Sequence, residues 1–109
     1  MLSDLMKEDL IKGLLDIFSG DIEAIILYGS VARNESTPES DIDIAVIVKR
    51  EMDDEKRERF IDWAAEMDLR YDRVFSIVDI QQKNMKKWGS VLPFYQNIQK
   101  EGVVLWKAA

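Results

Sequence analysis

The stretch LYGSVARNESTPESDIDIAVIV, residues 27–48, places two apolar runs on either side of a polar loop. The first run ends at Gly29-Ser30, and the second opens on two acids, Asp41 and Asp43. Carboxylates this close repel each other, and a strand that ends inside a core has no use for them. A strand alternates its side chains with a period of two. Read as a strand over 41–48, DIDIAVIV sends Asp41 and Asp43 to one face and Ile42 and Ile44 to the other. Past the acids the first face continues in Ala45 and Ile47, so it is polar only at its mouth. Two carboxylates about 7 Å apart along one strand form a ready oxygen site for Mg²⁺ or Mn²⁺. Such an ion takes one or two protein carboxylates and fills its shell with water and substrate phosphate.

The other side of the loop complements this reading. A glycine after a strand lets the chain turn sharply and lets a ligand approach the backbone. The amides and hydroxyl that follow, with Ser30 at the start of a helical turn, suit phosphate oxygens. Arg33 lies one turn further on, placed for a charge-assisted contact. A triphosphate held between Gly29-Ser30 and a metal is the arrangement that phosphoryl or nucleotidyl transfer requires. Taken singly, each piece has an ordinary use: Gly-Ser as a turn, Asp-x-Asp as solvated charge, Arg33 as a surface arginine. Their joint spacing carries the weight.

Outward from this stretch, residues 3–19 read as a helix. Ser3 is its N-cap, Leu5, Met6, Leu10, Leu14, Leu15 and Phe18 recur at helical spacing, and Gly20 marks the stop. IEAIILY (22–28) reads as a buried strand, and VARNESTPES as a loop containing Pro38. A second helix is expected from Asp53 to about Arg70, with Phe60, Ala64 and Met67 along its apolar face and Ile61 and Ala65 beside them. Its opening DDEKRERF is a solvated, acid-rich start. RVFSIVDI (73–80) is a third strand. Short helices are expected at 83–88 and, with Pro93 in the first turn, at 93–100. EGVVLWK closes the sequence as a final strand. The order α-β-α-β-α-β-α-α-β describes one α/β (α+β) domain over residues 1–109.

Composition narrows the chemistry. The 109 residues are 47% hydrophobic and 33% charged, enough for one modest core. There is no cysteine and no histidine, so no disulfide, thiolate or imidazole chemistry is available, and a cytoplasmic location is expected. No apolar segment is long enough to span a membrane, and the opening MLSDLMKEDL has no signal-peptide pattern. With 15 basic against 21 acidic residues, the net charge of −6 argues against extended nucleic-acid binding. Trp63, Trp88, Trp106, Phe94 and Tyr95 are scattered over different elements and read as core or dimer packing, which leaves a homodimer open.

Gly29-Ser30, ten residues, then Asp41-Ile42-Asp43 resembles the Gly-Ser-x10-Asp-x-Asp core of the minimal nucleotidyltransferases, the small-domain branch of the DNA polymerase β superfamily. The helix before it, the apolar strand after it and the closing EGVVLW fit as well. The resemblance implies a mixed sheet flanked by helices, with Gly29 and Ser30 on the nucleotide phosphates and Asp41 and Asp43 as catalytic ligands of two divalent ions. It implies attack of an acceptor hydroxyl on the α-phosphorus of a nucleoside triphosphate, ATP being the expected substrate, with release of pyrophosphate. It also implies a separately encoded helical partner of HEPN type, with this chain as the antitoxin that adds AMP to it.

One position departs from the pattern. The superfamily's third carboxylate, on the strand beside Asp-x-Asp, is replaced by Ser76 in DRVFSIVDIQQ. Asp72 lies on the same side of that strand but four residues away, and Asp79 points to the opposite face. Serine is a poor base at neutral pH. The alternative reading is therefore a catalytically degenerate module of the same fold that binds nucleotide or a partner.

Overall fold

Ser3 starts the chain's first helix as the sequence predicts: its hydroxyl accepts the Met6 N–H at 3.2 Å, and α1 runs over Asp4–Phe18. The computed structural model describes residues 2–35, 37 and 39–109. The expected loop at 31–40 therefore falls partly outside the described residues, at Ser36 and Pro38. Leu10, Leu14, Ile17 and Phe18 form the buried stripe of α1. The helix stops one residue before the glycine chosen from sequence. Ser19 is its C-cap, at φ 53° and ψ −129°, and its N–H donates to the Leu15 carbonyl; Gly20 sits inside the short 3₁₀ turn Ser19–Asp21.

The remaining elements are β1 (Ile22–Tyr28), a single helical turn α2 (Gly29–Ala32), β2 (Ile42–Val48), α3 (Asp54–Tyr71), β3 (Phe75–Gln81), α4 (Gln82–Trp88), α5 (Pro93–Glu101) and β4 (Val103–Lys107). Asp53 caps α3 by accepting the Lys56 N–H at 2.8 Å, and Pro93 occupies the first turn of α5. β2 begins at Ile42, not Asp41, because Ile42 is the first residue paired with β3. Asp72 is not on β3. It closes α3 in the left-handed region (φ 51°, ψ 44°), three residues before the strand starts.

The four strands make one mixed sheet in the order β3-β2-β1-β4. β1 is antiparallel to both β2 and β4, while β2 and β3 are parallel and joined through α3. β2 is thus an inner strand, buried at Ile42 and from Ile44 to Val48, and a near-continuous apolar run is what burial on both faces demands. One face carries the larger core, where Leu10, Leu14 and Phe18 of α1 and Met67 of α3 meet Ile25, Ile44 and Val46. The other face carries Ala45, Ile47, Ile80 and Ile98, with Tyr28, Met85 and Tyr95 packed against them.

On α3 the apolar stripe is narrower than expected. Met67 is buried and Phe60 and Trp63 pack on the core, but Ile61 and Ala65 are exposed. Ile61 is one residue past Phe60, which turns it about 100° away from the packed face. No helix among the described residues is long and apolar enough to cross a membrane.

Candidate active site

Three side chains meet on the second face of the sheet at the open end of β2. Asp43 is paired with Tyr28 of β1 on one side and with Ser76 of β3 on the other. Residues directly opposite in neighbouring strands share a face, so Tyr28, Asp43 and Ser76 form a row across three strands. The register confirms that Ser76 stands beside the Asp-x-Asp strand at the level of Asp43. Asp79 is paired with Val46 and lies on the opposite face.

Burial is the main influence on the Asp43 carboxyl, holding its pKa above the ordinary carboxylate value; the neighbouring charge of Asp41 pushes the same way, and Arg33 opposes them. The Tyr28 phenol is likewise shifted up, by burial first and then by the charge of Asp43. Both shifts describe a half-buried negative centre with too little positive charge around it.

Gly29 explains how the chain reaches this centre. It adopts φ +74°, in the region that only glycine enters freely. A Cβ built there would land on the Asp43 carboxylate, 3.0 Å from Cγ and 3.2 Å from Asp43 Cβ. The turn out of β1 is therefore pressed against the acid, and both the conformation and the space require glycine. Ser30 follows in the first turn of α2, half-buried, and its carbonyl accepts the Glu35 N–H at 2.9 Å. Arg33 closes that turn. Its Nε donates to Glu35 Oε2 and its Nη1 to Glu101 Oε2, each at 3.2 Å, so the guanidinium bridges α2 to the end of α5.

Gly29, Ser30, Arg33, Asp41 and Asp43 thus lie near the same end of the sheet, with the Arg33 guanidinium engaged by Glu35 and Glu101. Two features there were not legible in the sequence. Glu101 is 68 residues from the arginine it binds. Arg73 donates from Nη2 to the Ser40 carbonyl at 3.0 Å, just ahead of Asp41. Neither contact leaves a local pattern, since each depends on how distant elements are packed.

The donor set suits a divalent cation. Two carboxylates, one half-buried and raised in pKa first by burial and then by the charge of the other, are the one-or-two-acid contribution that Mg²⁺ accepts when phosphate completes its shell. Among the described residues no three acids, histidines or cysteines are grouped so as to hold a metal ion, so with two carboxylates the remaining ligands would come from water and substrate.

The family model for "Polymerase beta, Nucleotidyltransferase" matches residues 11–109. The chain belongs to this nucleotidyltransferase family. A relative from Methanocaldococcus jannaschii, MJ0604, named as a candidate protein adenylyltransferase, is 33% identical over 102 residues, covering 91% of this chain and 93% of its own. Among solved structures, a toxin–antitoxin complex with AMP-PNP contains a chain that superimposes on this nucleotidyltransferase with a TM-score of 0.68 at 25% identity, covering 94% of this chain and 73% of that one. A complex from Shewanella oneidensis, described as a tri-AMPylated HEPN toxin with its MNT antitoxin, shares the fold at a TM-score of 0.57 and 22% identity, over 95% of this chain and 71% of that one.

Proposed function

We propose that this nucleotidyltransferase moves AMP from ATP to a hydroxyl on a separately encoded protein of HEPN type, with Mg²⁺ or Mn²⁺ bound at Asp41 and Asp43. The observation that carries the reading is the contact of the Gly29 turn, at φ +74°, with Asp43, which supports a phosphate-binding turn beside the Asp41 and Asp43 carboxylates. The M. jannaschii relative's name supports adenylyl transfer to protein, and the toxin–antitoxin complexes support a protein acceptor.

In this reading Gly29 and Ser30 receive phosphate oxygens at the backbone and hydroxyl, and Arg33 adds charge on leaving Glu35 or Glu101. Asp41 and Asp43 hold the cation, which when bound offsets the charge of the phosphates and of the departing pyrophosphate. The acceptor oxygen forms its bond to the α-phosphorus as the bond to the β-phosphate oxygen breaks. The acceptor's proton leaves to water or to a group brought by the acceptor, because Ser76 is a poor base.

Radiolabelled ATP with the α-phosphate marked, Mg²⁺ and a separately encoded HEPN-type protein provide the test. Label on the partner, lost with Asp43→Asn, is the expected result; aminoglycosides in place of protein check small-molecule transfer. The row that places Ser76 opposite Asp43 favours a second reading, a module that binds nucleotide without transferring it. Under that reading amide shifts at Gly29–Arg33 and Asp41–Asp43 on adding Mg²⁺ and ATP persist while no partner is labelled. Absence of both shifts and label overturns both readings.

A further inference from the structure

We infer that Arg73, from the corner between α3 and β3, is a positioning residue for Asp41; the inference rests on the metal-site reading above. The two acids of the pair are held very differently. Asp43 is inside the sheet, paired on both sides by Tyr28 and Ser76. Asp41 precedes the first residue of β2 and is exposed, so its place depends on what fixes the residues on either side of it.

Both of those residues are fixed from the same corner. On the downstream side, the Ile42 N–H donates to the Val74 carbonyl at 2.8 Å. On the upstream side, Arg73 Nη2 donates to the Ser40 carbonyl at 3.0 Å, in a part-buried contact. Ser40 is also closed on Thr37: its N–H donates to the Thr37 carbonyl at 3.0 Å and its hydroxyl accepts the Thr37 N–H at 2.9 Å. Asp41 is thereby bracketed, with its peptide units anchored by two consecutive residues of a distant turn.

The corner itself is built to hold still. Asp68 accepts the Phe75 N–H at its side chain (2.9 Å) and the Arg73 N–H at its carbonyl (3.2 Å). The Arg73 Nε is buried and finds no partner among the described residues, while Nη2 makes the bond to Ser40. Arg73 holds the Ser40 carbonyl through Nη2 alone, and a planar guanidinium fixes the direction of that single bond better than a freely rotating lysine ammonium does. Residues that orient a metal ligand without touching the metal typically cost 10–100-fold in affinity when removed.

The test is a titration of the full chain with Mn²⁺, read by its electron paramagnetic resonance, together with amide hydrogen exchange. Arg73→Ala is expected to weaken Mn²⁺ binding about 10-fold and to speed exchange at Ile42, leaving Ile44 to Val48 protected. Arg73→Lys is expected to recover part of the affinity, and it carries the test if the alanine variant does not fold. In an Asp41→Asn background Arg73→Ala should cause no further loss, since the effect runs through that carboxylate. Wild-type Mn²⁺ affinity in a folded Arg73→Ala or Arg73→Lys variant, or an undiminished loss in the Asp41→Asn background, overturns the inference alone. Failure of the unmodified chain to bind Mn²⁺ overturns the metal-site reading with it.

Discussion

Gly29 and Asp43 are in contact across the β1–β2 pair, the glycine at φ +74° with its missing Cβ replaced in space by the aspartate carboxylate. Gly29→Ala therefore meets two penalties. A left-handed conformation costs a residue with a Cβ about 1–2 kcal/mol, and the new methyl must displace Asp43. The variant is expected to unfold about 5–10 °C below the wild type, at roughly 4–8 °C per kcal/mol for a domain of this size, and to lose metal-dependent ATP binding. Thermal melts and ATP titration check both; a variant that melts and binds like the wild type would make Gly29 an ordinary turn.

Replacing Asp43 should have the opposite sign on stability. A carboxyl whose pKa is raised in the fold is less easily ionised there than in the unfolded chain, so its charge opposes folding once the pH exceeds both values. Burial and the Asp41 charge are the causes, and an asparagine carries neither cost. Without metal, Asp43→Asn is expected to melt higher at neutral pH while losing Mg²⁺-dependent nucleotide binding. A lower melting temperature would show that the carboxylate is needed structurally.

Two other acids make the fold sensitive to low pH. Asp9 is held below the ordinary carboxylate value of 3.8, mainly by the hydrogen bond from Tyr71 and further by Arg70. Asp21 is lowered chiefly by Lys56, which donates to it at 2.9 Å, and by Arg50. A depressed pKa contributes stability that is complete above the unfolded value and is lost as the pH falls from 3.8 through the folded value. Denaturant midpoints are expected to fall across that window. Asp9→Asn and Asp21→Asn should flatten the fall; an unchanged slope in the double variant would assign acid sensitivity elsewhere.

Leu14 offers a prediction about packing alone. It is fully buried in α1 against the sheet's larger core, and Leu→Ala at such sites costs about 2–5 kcal/mol. Leu14→Ala should lower the unfolding free energy by that amount, read as a lower denaturant midpoint at constant slope, with ATP binding retained under conditions where the variant is folded. A loss below 1 kcal/mol would mean that α1 packs loosely.

Much of this was readable from one short stretch because its signals are local. Glycine at a strand end, alternation in DIDIAVIV and the helical spacing of Leu10, Leu14 and Phe18 are each set within a few residues. The strand starts expected at Asp41 and Arg73 were not, because pairing decides where a strand begins: Ile42 and Phe75 are the first residues to pair between β2 and β3. Ile61 and Ala65 show the same limit on a helix, since hydrophobicity marks candidates for burial and the width of the facing surface chooses among them. Arg33 was legible as a cation near the loop, whereas its ties to Glu35 and Glu101 depend on where α5 ends.

The parallel pairing of β2 with β3 has a consequence for the order of events when the chain first folds. β1 and β2 are separated by one loop, whereas the whole of α3 lies between β2 and β3. Pairings between distant segments are slow because loop closure opposes them. Asp43 then has one neighbour early and its second late, and the bracket around Asp41 closes last. On the proposed reading of Gly29, Ser30, Asp41 and Asp43, nucleotide binding is expected to appear only after residues 73–76 have docked, in the final phase of refolding.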